Sequence, residues 1–451
     1  MIVLIKTLQV ILALSILILI HEFGHFIFAK MFGIRVDKFF LFFDAGGVKL
    51  FSTKSGWFTK ICPKAAQWET EYGIGWLPLG GYCKICGMID ESMNIEQMKE
   101  EPKPWEFRTK PAWQRLIVML AGIAMNILVA MVIYTGMLFV WGDSYERNDD
   151  MVHGYVFNEA GHELGFENGD RIIAINGERV ERAHQIPAKL MITEKDVTVD
   201  ILRDSTEQRL SLPLEKIIEI REQRRFSGLL RQNVPFVVRG FSEDSAATED
   251  YAIGDRIIAI NGNDVVDRIA AEPILKKLRD TTVNIGVVRG SDTLQIATRL
   301  NHKGQIGVTT YAPIQPHHIE YSLIESIPAG ISLAGSELAG YWNQLKMIVN
   351  PEAKLYKEVG GFISIGSIFP SEWNWYGFWA ITAFISIALA VMNLLPIPGL
   401  DGGHALFTLW EIITRRKPSD KFMTVMQWIG LILLILLMVY ANGNDIVGLF
   451  K

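Results

Sequence analysis

The sequence predicts a polytopic α-helical membrane protein, with four transmembrane helices and a large β-rich segment on one side of the bilayer. Three observations predict it. Of the 451 residues, 49% are apolar and 21% charged, and the mean hydropathy is positive, which is too apolar for a purely water-soluble chain. Four apolar stretches reach the length of about 20 residues that a bilayer requires. Between the second and the third, one strand-like nine-residue pattern occurs twice, identically.

The first span, 1–30, carries only Lys6 between Met1 and Ile20 and ends in His21-Glu22-Phe23-Gly24-His25. A basic residue before an apolar run also begins a signal peptide, but no small-residue cleavage site follows, and Phe26-Ile27-Phe28-Ala29 continues the apolar pattern. The second span, 113–142, has no charged residue from Leu116 to Trp141. The third is 376–403 and the fourth 422–441. The loop 31–112 is rich in lysine and arginine, and Arg415-Arg416-Lys417 lies between spans three and four. The positive-inside rule makes both basic loops cytoplasmic. The segment from about Asp143 to Trp375 and both termini then lie on the far side.

Cys62, Cys83 and Cys86 all fall in the loop assigned to the reducing side. Cys83-Lys84-Ile85-Cys86 could suggest a zinc site or a redox pair. A structural zinc takes four ligands, however, and no second pair is near, so these read as small apolar residues. The net charge of −5 argues against a nucleic-acid partner.

The chemistry concentrates at two places. Histidines four apart share one face of a helix, close enough to hold one Zn²⁺, and the intervening Glu22 can take a proton from an attacking water. Ionisable groups in an apolar span are costly and default to a functional reading. Two histidines leave a catalytic zinc one protein ligand short. The candidate third ligand is Asp401, in Asn393-Leu394-Leu395-Pro396-Ile397-Pro398-Gly399-Leu400-Asp401-Gly402-Gly403, where prolines and glycines break the backbone after an apolar span. Asn393 is a candidate for hydrogen bonding to substrate backbone or a developing oxyanion. The plainer alternative makes Asp401 a helix cap and Asn393 an interhelical contact.

In the external segment, Gly169-Asp170-Arg171-Ile172-Ile173-Ala174-Ile175-Asn176-Gly177 recurs as Gly254-Asp255-Arg256-Ile257-Ile258-Ala259-Ile260-Asn261-Gly262. Each copy reads as a strand closed by an Asn-Gly turn, followed by a helix and two more strands. This pattern resembles PDZ domains of the bacterial membrane-protease kind. The resemblance implies modules at 148–215 and 230–310, joined by the charged link Glu215–Arg231. Residues 320–350 have the spacing of an amphipathic helix, lying at the membrane surface or packed on the second module.

With HEFGH on span one and N-x-x-P-x-P-x-L-D-G-G on span three, the chain resembles the site-2 proteases, specifically the regulator-of-sigma-E type, over nearly all of its length. Gly122-Ile123-Ala124-Met125-Asn126 matches that family's G-x-x-x-N element, a close helix contact through Gly122 and Asn126. Glu71 to Tyr82 resembles its membrane re-entrant β-hairpin (about 70–87), which implies that Gly75, Gly80 and Gly81 hold substrate as an added strand together with Asn393. The resemblance implies one Zn²⁺ per chain on His21, His25 and Asp401, with Glu22 as general base. It further implies a bacterial inner-membrane protein with its active site toward the cytoplasmic face and its PDZ modules periplasmic. Its substrates would be single-span membrane proteins already trimmed by another protease, of the anti-sigma factor and remnant signal peptide type, with the PDZ pair as a size filter. The stretch Asp44–Trp68 is longer than that pattern requires.

Three other readings stand beside this one. A membrane-tethered zinc protease for quality control leaves Asp401 unexplained. A zinc or proton-coupled transporter explains intramembrane charges but not Glu22. A catalytically dead scaffold explains the repeats but not an intact set of ligands and base.

Overall fold

The computed structural model describes residues 1–88, 101–242 and 250–448. It divides into two compact units, one of Met1–Gly142, Glu320–Val349 and Leu355–Lys451, the other of Asp143–Ile319 with Asn350–Lys354.

The first unit opens with α1 (Ile2–Met31), a continuous helix because nothing in its apolar run interrupts it. Gly33, at φ +64°, stops it in the left-handed conformation that glycine adopts without strain. A sheet follows, built from β1 (Val36–Phe43), β2 (Lys49–Ser52), β3 (Glu71–Gly75) and β4 (Leu77–Ile85), with the short α2 (Gly56–Ile61) between β2 and β3. The strand order is β2-β3-β1-β4. This corrects the expected hairpin. Consecutive in the chain, β3 and β4 do not pair, because β1 lies between them, parallel to β3 (Phe39 opposite Tyr72) and antiparallel to β4 (Phe40 opposite Tyr82). The aromatic rows favour this arrangement, with Phe40 stacked on Tyr82 at 5.5 Å and Phe39 tilted against Tyr72 at 6.2 Å. Helix α3 (Ala112–Trp141) follows.

The second unit contains the repeat. Its first half holds β5 (Asp143–Tyr145), β6 (Tyr155–Phe157), α4 (Glu159–Glu163), β7 (Arg171–Ile175), β8 (Glu178–Arg179), α5 (Ile186–Met191), β9 (Val197–Arg203), β10 (Thr206–Leu212), α6 (Leu214–Glu222) and β11 (Leu230–Gln232). Its second half holds β12 (Gly240–Phe241), β13 (Arg256–Ile260), β14 (Asn263–Asp264), α7 (Arg268–Lys277), β15 (Thr282–Arg289), β16 (Asp292–Arg299) and β17 (Val308–Thr309). β18 (His317–Ile319) returns to pair with β5.

The two main sheets share one topology, β10-β9-β7-β8 and β14-β13-β15-β16. Identical residues do identical work in each. Asn176 and Asn261 take φ near +50° beside Gly177 and Gly262, and their Oδ1 atoms accept from the N–H of Thr198 and Asn284 at 2.9 Å. Asp170 and Asp255 accept from Arg203 and Arg289. Each half has its own apolar core, one around Ile186, Leu190 and Val199, the other around Ile260, Ile285 and Val287. The link expected at Glu215–Arg231 is corrected as well. Ile217 and Ile220 fall on one face of α6 and are buried in the first core, while Glu215, Lys216, Glu219 and Glu222 are exposed.

The chain then returns to the first unit with α8 (Leu323–Val349), α9 (Phe362–Ile368), α10 (Trp375–Leu394), α11 (Asp401–Thr414) and α12 (Asp420–Gly448). The helix expected at 320–350 is α8; its small face, Gly330 and Ala334, packs against α3 and α10. Among the described residues, four helices are long and apolar enough to cross a bilayer: α1, α3, α10 and the stretch of α12 from Lys421. The third span is shorter than the predicted 376–403, since α10 ends at Leu394 and Pro396 and Pro398 force the backbone out of the helix.

Candidate metal centre

Helical spacing on α1 turns His21 and His25 to the same side, with their Nε2 atoms 3.2 Å apart. Asp401, the first residue of α11, brings its Oδ2 to 3.1 Å from His21 Nε2 and 3.2 Å from His25 Nε2. Among the described residues this is the one group of three or more histidine, cysteine or acidic side chains gathered closely enough to hold a metal ion. Oδ2 of Asp401 is buried at ion-pair distance from both rings, yet it accepts a hydrogen bond from neither. An unsatisfied buried carboxylate oxygen calls for a further partner. Tetrahedral ligands held at about 2.0 Å from zinc lie about 3.3 Å from one another, close to the separations found here. Two imidazole nitrogens and a carboxylate oxygen are also a donor set that zinc favours.

Neighbouring groups orient the rings. His25 Nδ1 is 2.8 Å from the carbonyl oxygen of Val118 on α3. That oxygen only accepts, so the ring proton sits on Nδ1 and Nε2 keeps its lone pair for a metal. Gly122, also on α3, lies against both rings; a β-carbon there would meet His25 Nε2 at 2.5 Å and His21 Cε1 at 2.7 Å. Gly24 on α1 returns the close approach, since a β-carbon there would meet the carbonyl oxygen of Ala121 at 2.6 Å. Asn126, one turn after Gly122, brings its amide to 3.3 Å from His21 Nδ1.

Asp401 is fixed by glycine packing. A β-carbon on Gly402 would strike the carbonyl oxygens of Leu394 and Leu395 at 2.4 Å, and Gly430 of α12 admits the carbonyl of Pro398 where no side chain could fit. The broken backbone is therefore wedged between the end of α10 and the middle of α12, with Asp401 aimed back at α1.

The three donor groups open onto a cavity of about 640 Å³ that Glu22, Gly80, Gly81 and Asn393 also line. Glu22 is half-buried on the cavity wall, one residue from His21. β4 ends the sheet and runs beside α1, with Gly81 against Ile18. The remaining predicted substrate residue, Gly75, is not brought to this place. It packs beneath the carbonyl of Phe43.

The profile of Peptidase family M50 matches residues 9–437. The chain belongs to that family. Among its relatives are two proteins named "Regulator of sigma E protease". The one from Haemophilus influenzae is 25% identical over 460 residues, covering 97% of this chain and 98% of its own length. The one from Salmonella typhi is 27% identical over 459 residues, covering 96% and 97%. A protein from Xylella fastidiosa (strain 9a5c), named "Putative zinc metalloprotease", is 28% identical over 461 residues, covering 97% and 98%. The site-2 protease resemblance read from the sequence is thereby borne out, and the chain is a peptidase.

Sequence reading missed several groups of this M50 peptidase. The Val118 carbonyl is backbone, and no residue type announces it. His404 and Gln427 line the cavity; His404, directly after the motif and three residues past Asp401, was legible as a titratable neighbour. The cysteines are free thiols. Burial, with the Asp37 carboxylate beside it, pushes Cys86 up to about 12, so it stays protonated at neutral pH, consistent with a packing role.

Proposed function

We propose that the chain is an intramembrane zinc metalloprotease that hydrolyses peptide bonds within the transmembrane segments of single-span membrane proteins. One observation carries this reading: His21, His25 and Asp401 converge within ion-pair distance, beside Glu22, on a cavity among helices long enough to cross a bilayer. His21, His25 and Asp401 hold the ion, one per chain. Bound there, zinc supplies Lewis acidity, polarising the scissile carbonyl and making water acidic enough to be a nucleophile at neutral pH.

The chain's own groups do the rest. Glu22 takes the proton of the attacking water and returns it to the leaving amine. Asn393 donates from its amide to the substrate backbone. A helical substrate hides its carbonyls in hydrogen bonds and must unwind to be cut, so the extended segment needs new backbone partners. The terminal strand β4, with Gly80 and Gly81 on the cavity wall, supplies them by strand addition. The outer edge of β3 is already taken by β2, which favours β4 over the strand carrying Gly75.

The positive-inside rule puts the active site toward the cytoplasmic face of a bacterial inner membrane, with the repeat modules and both termini periplasmic. The modules are PDZ domains acting as a filter that admits substrates already trimmed by another protease, of the anti-sigma factor and remnant signal peptide type.

The test is to incubate the purified chain with a single-span substrate, with and without a zinc chelator, and to map the cut. Cleavage inside the apolar segment that stops with the chelator is expected. Glu22→Gln should lower the rate by about 10²–10⁴-fold and leave zinc bound. Zinc lost together with activity in that variant would make Glu22 a structural residue instead.

A further inference from the structure

Within the first unit, residues 45–68 supply no group to the catalytic reading or to the β4 edge of the strand-addition reading. The segment contains Lys49, Lys54, Lys60 and Lys64 and no acidic residue, and it carries four aromatic residues: Phe51, Trp57, Phe58 and Trp68. It folds as β2 and α2 with short helical turns on either side. β2 pairs with the outer edge of β3, so the segment is fixed to the sheet by backbone hydrogen bonds. Phe51, Trp57 and Phe58 pack edge to face at 5.3–5.9 Å.

Two features of its surface stand out. Ile61 is 74% exposed, Leu50 67% and Trp57 55%, more apolar surface than so small an element leaves to water without reason. Lys49 is paired with Glu71 at 2.6 Å, but Lys54, Lys60 and Lys64 are exposed and form no ion pair among the described residues.

The depth of the segment follows from its anchor points. Lys30, in the last turn of α1, pairs with Glu69, immediately after the segment. Trp68 packs edge-on to Tyr72 at 6.0 Å, and Tyr72 against Phe26 of α1 at 6.0 Å. Trp113, in the first turn of α3, packs on Phe32 at 5.5 Å. The segment therefore emerges at the ends of two spanning helices, the level at which tryptophan and lysine gather at a lipid surface.

We propose that residues 45–68 form an interfacial foot that binds the anionic phospholipid headgroups of the leaflet in which α1 ends. Trp57, Ile61 and Leu50 enter the headgroup boundary, and Lys54, Lys60 and Lys64 pair with lipid phosphates. The charge decides the occupant. An apolar-only face would suit a protein partner or a second copy, whereas lysines around tryptophans with no acidic residue match a negatively charged surface that the spanning helices already bring alongside. The foot would hold the sheet, and with it β4, at a fixed height beside the cavity.

Hydrogen–deuterium exchange on the full-length chain in lipid nanodiscs tests this. Discs of phosphatidylcholine are compared with discs in which a third of the lipid is phosphatidylglycerol. Exchange over 45–68 is expected to slow by about five-fold or more with the anionic lipid, the factor that one lysine near such a surface provides, and to recover in high salt. The variant K54Q/K60Q/K64Q should lose the lipid dependence, with exchange over the repeat modules unchanged as a check on folding. Equal exchange in both discs overturns the proposal in the wild-type chain alone, whatever the variant does. Slow exchange that persists in detergent and rises with protein concentration would assign the face to a second copy and also overturn it.

Discussion

Asn126 and His21 face one another across the contact between α3 and α1, with the amide 3.3 Å from the ring Nδ1. Oδ1 of the same amide is buried without a partner. Exchanging the two ends of the amide gives Oδ1 a partner. Oδ1 then accepts from Nδ1–H, and His21 Nε2 keeps its lone pair toward Asp401, the arrangement that the Val118 carbonyl gives His25.

Asn126 should therefore tune metal affinity without touching metal. Asn126→Ala is expected to weaken zinc binding by about 10–100-fold, measured by competition with a chromophoric chelator. Asn126→Asp, which keeps an acceptor, should recover most of that loss. Equal affinity in all three proteins would reduce Asn126 to a helix contact, through the bond that its carbonyl accepts from Ser386 Oγ at 2.8 Å.

Gly122 offers a sharper test, because its replacement should improve the helix and damage the site. Alanine is favoured over glycine in a helix by about 1 kcal/mol, but its β-carbon would stand 2.5 Å from His25 Nε2 and 2.7 Å from His21 Cε1. Gly122→Ala is expected to lose most bound zinc while retaining its helical circular dichroism. Full zinc occupancy in that variant would mean that the rings can step aside, and that the glycine serves helix approach alone.

These two residues also mark how far the sequence could be read. The four spans, the convergence of HEFGH with Asp401 and the duplicated strand-turn were all legible, since each depends on local composition or on a short pattern with one physical solution. The G-x-x-x-N element was legible as a close helix contact. That its asparagine and glycine flank the histidine rings depends on the rotation of α3, which no periodicity in a uniformly apolar helix specifies. The position of β1 between β3 and β4 was hidden for a related reason. Glu71 to Tyr82 has the signature of a hairpin, and only the competition of a distant aromatic strand for both inner edges excludes it.

His21, His25, Asp401, Glu22 and Asn393 all belong to the first unit, and 148–310 belongs to the second. Replacing 148–310 by a short polar linker is therefore expected to leave zinc content and cleavage of a trimmed substrate close to wild type. The same chain should begin to cut an untrimmed substrate, followed by gel mobility of the two products. Continued refusal of the long substrate would remove the filter role from the modules.

The second module carries a pH dependence of its own. Asp255 is fully buried and accepts from Arg289 Nε and Nη2 at 2.8 and 2.7 Å, and from the N–H of Ala252. The Arg289 guanidinium holds this carboxyl below its ordinary value of 3.8, against the opposing effect of burial. A depressed folded-state value means that the stabilisation is complete above the ordinary carboxylate range and is lost as pH falls through the lower, folded value. Amide exchange over Arg256–Ile260 should therefore accelerate as pH falls below about 4, beyond the intrinsic pH dependence of exchange. Arg289→Ala should accelerate it already at neutral pH, with a loss of about 2 kcal/mol, because it strands a buried charge. Asp255→Asn should flatten the acid response. A module whose opening follows the same pH curve with asparagine at position 255 would assign its acid sensitivity to other groups.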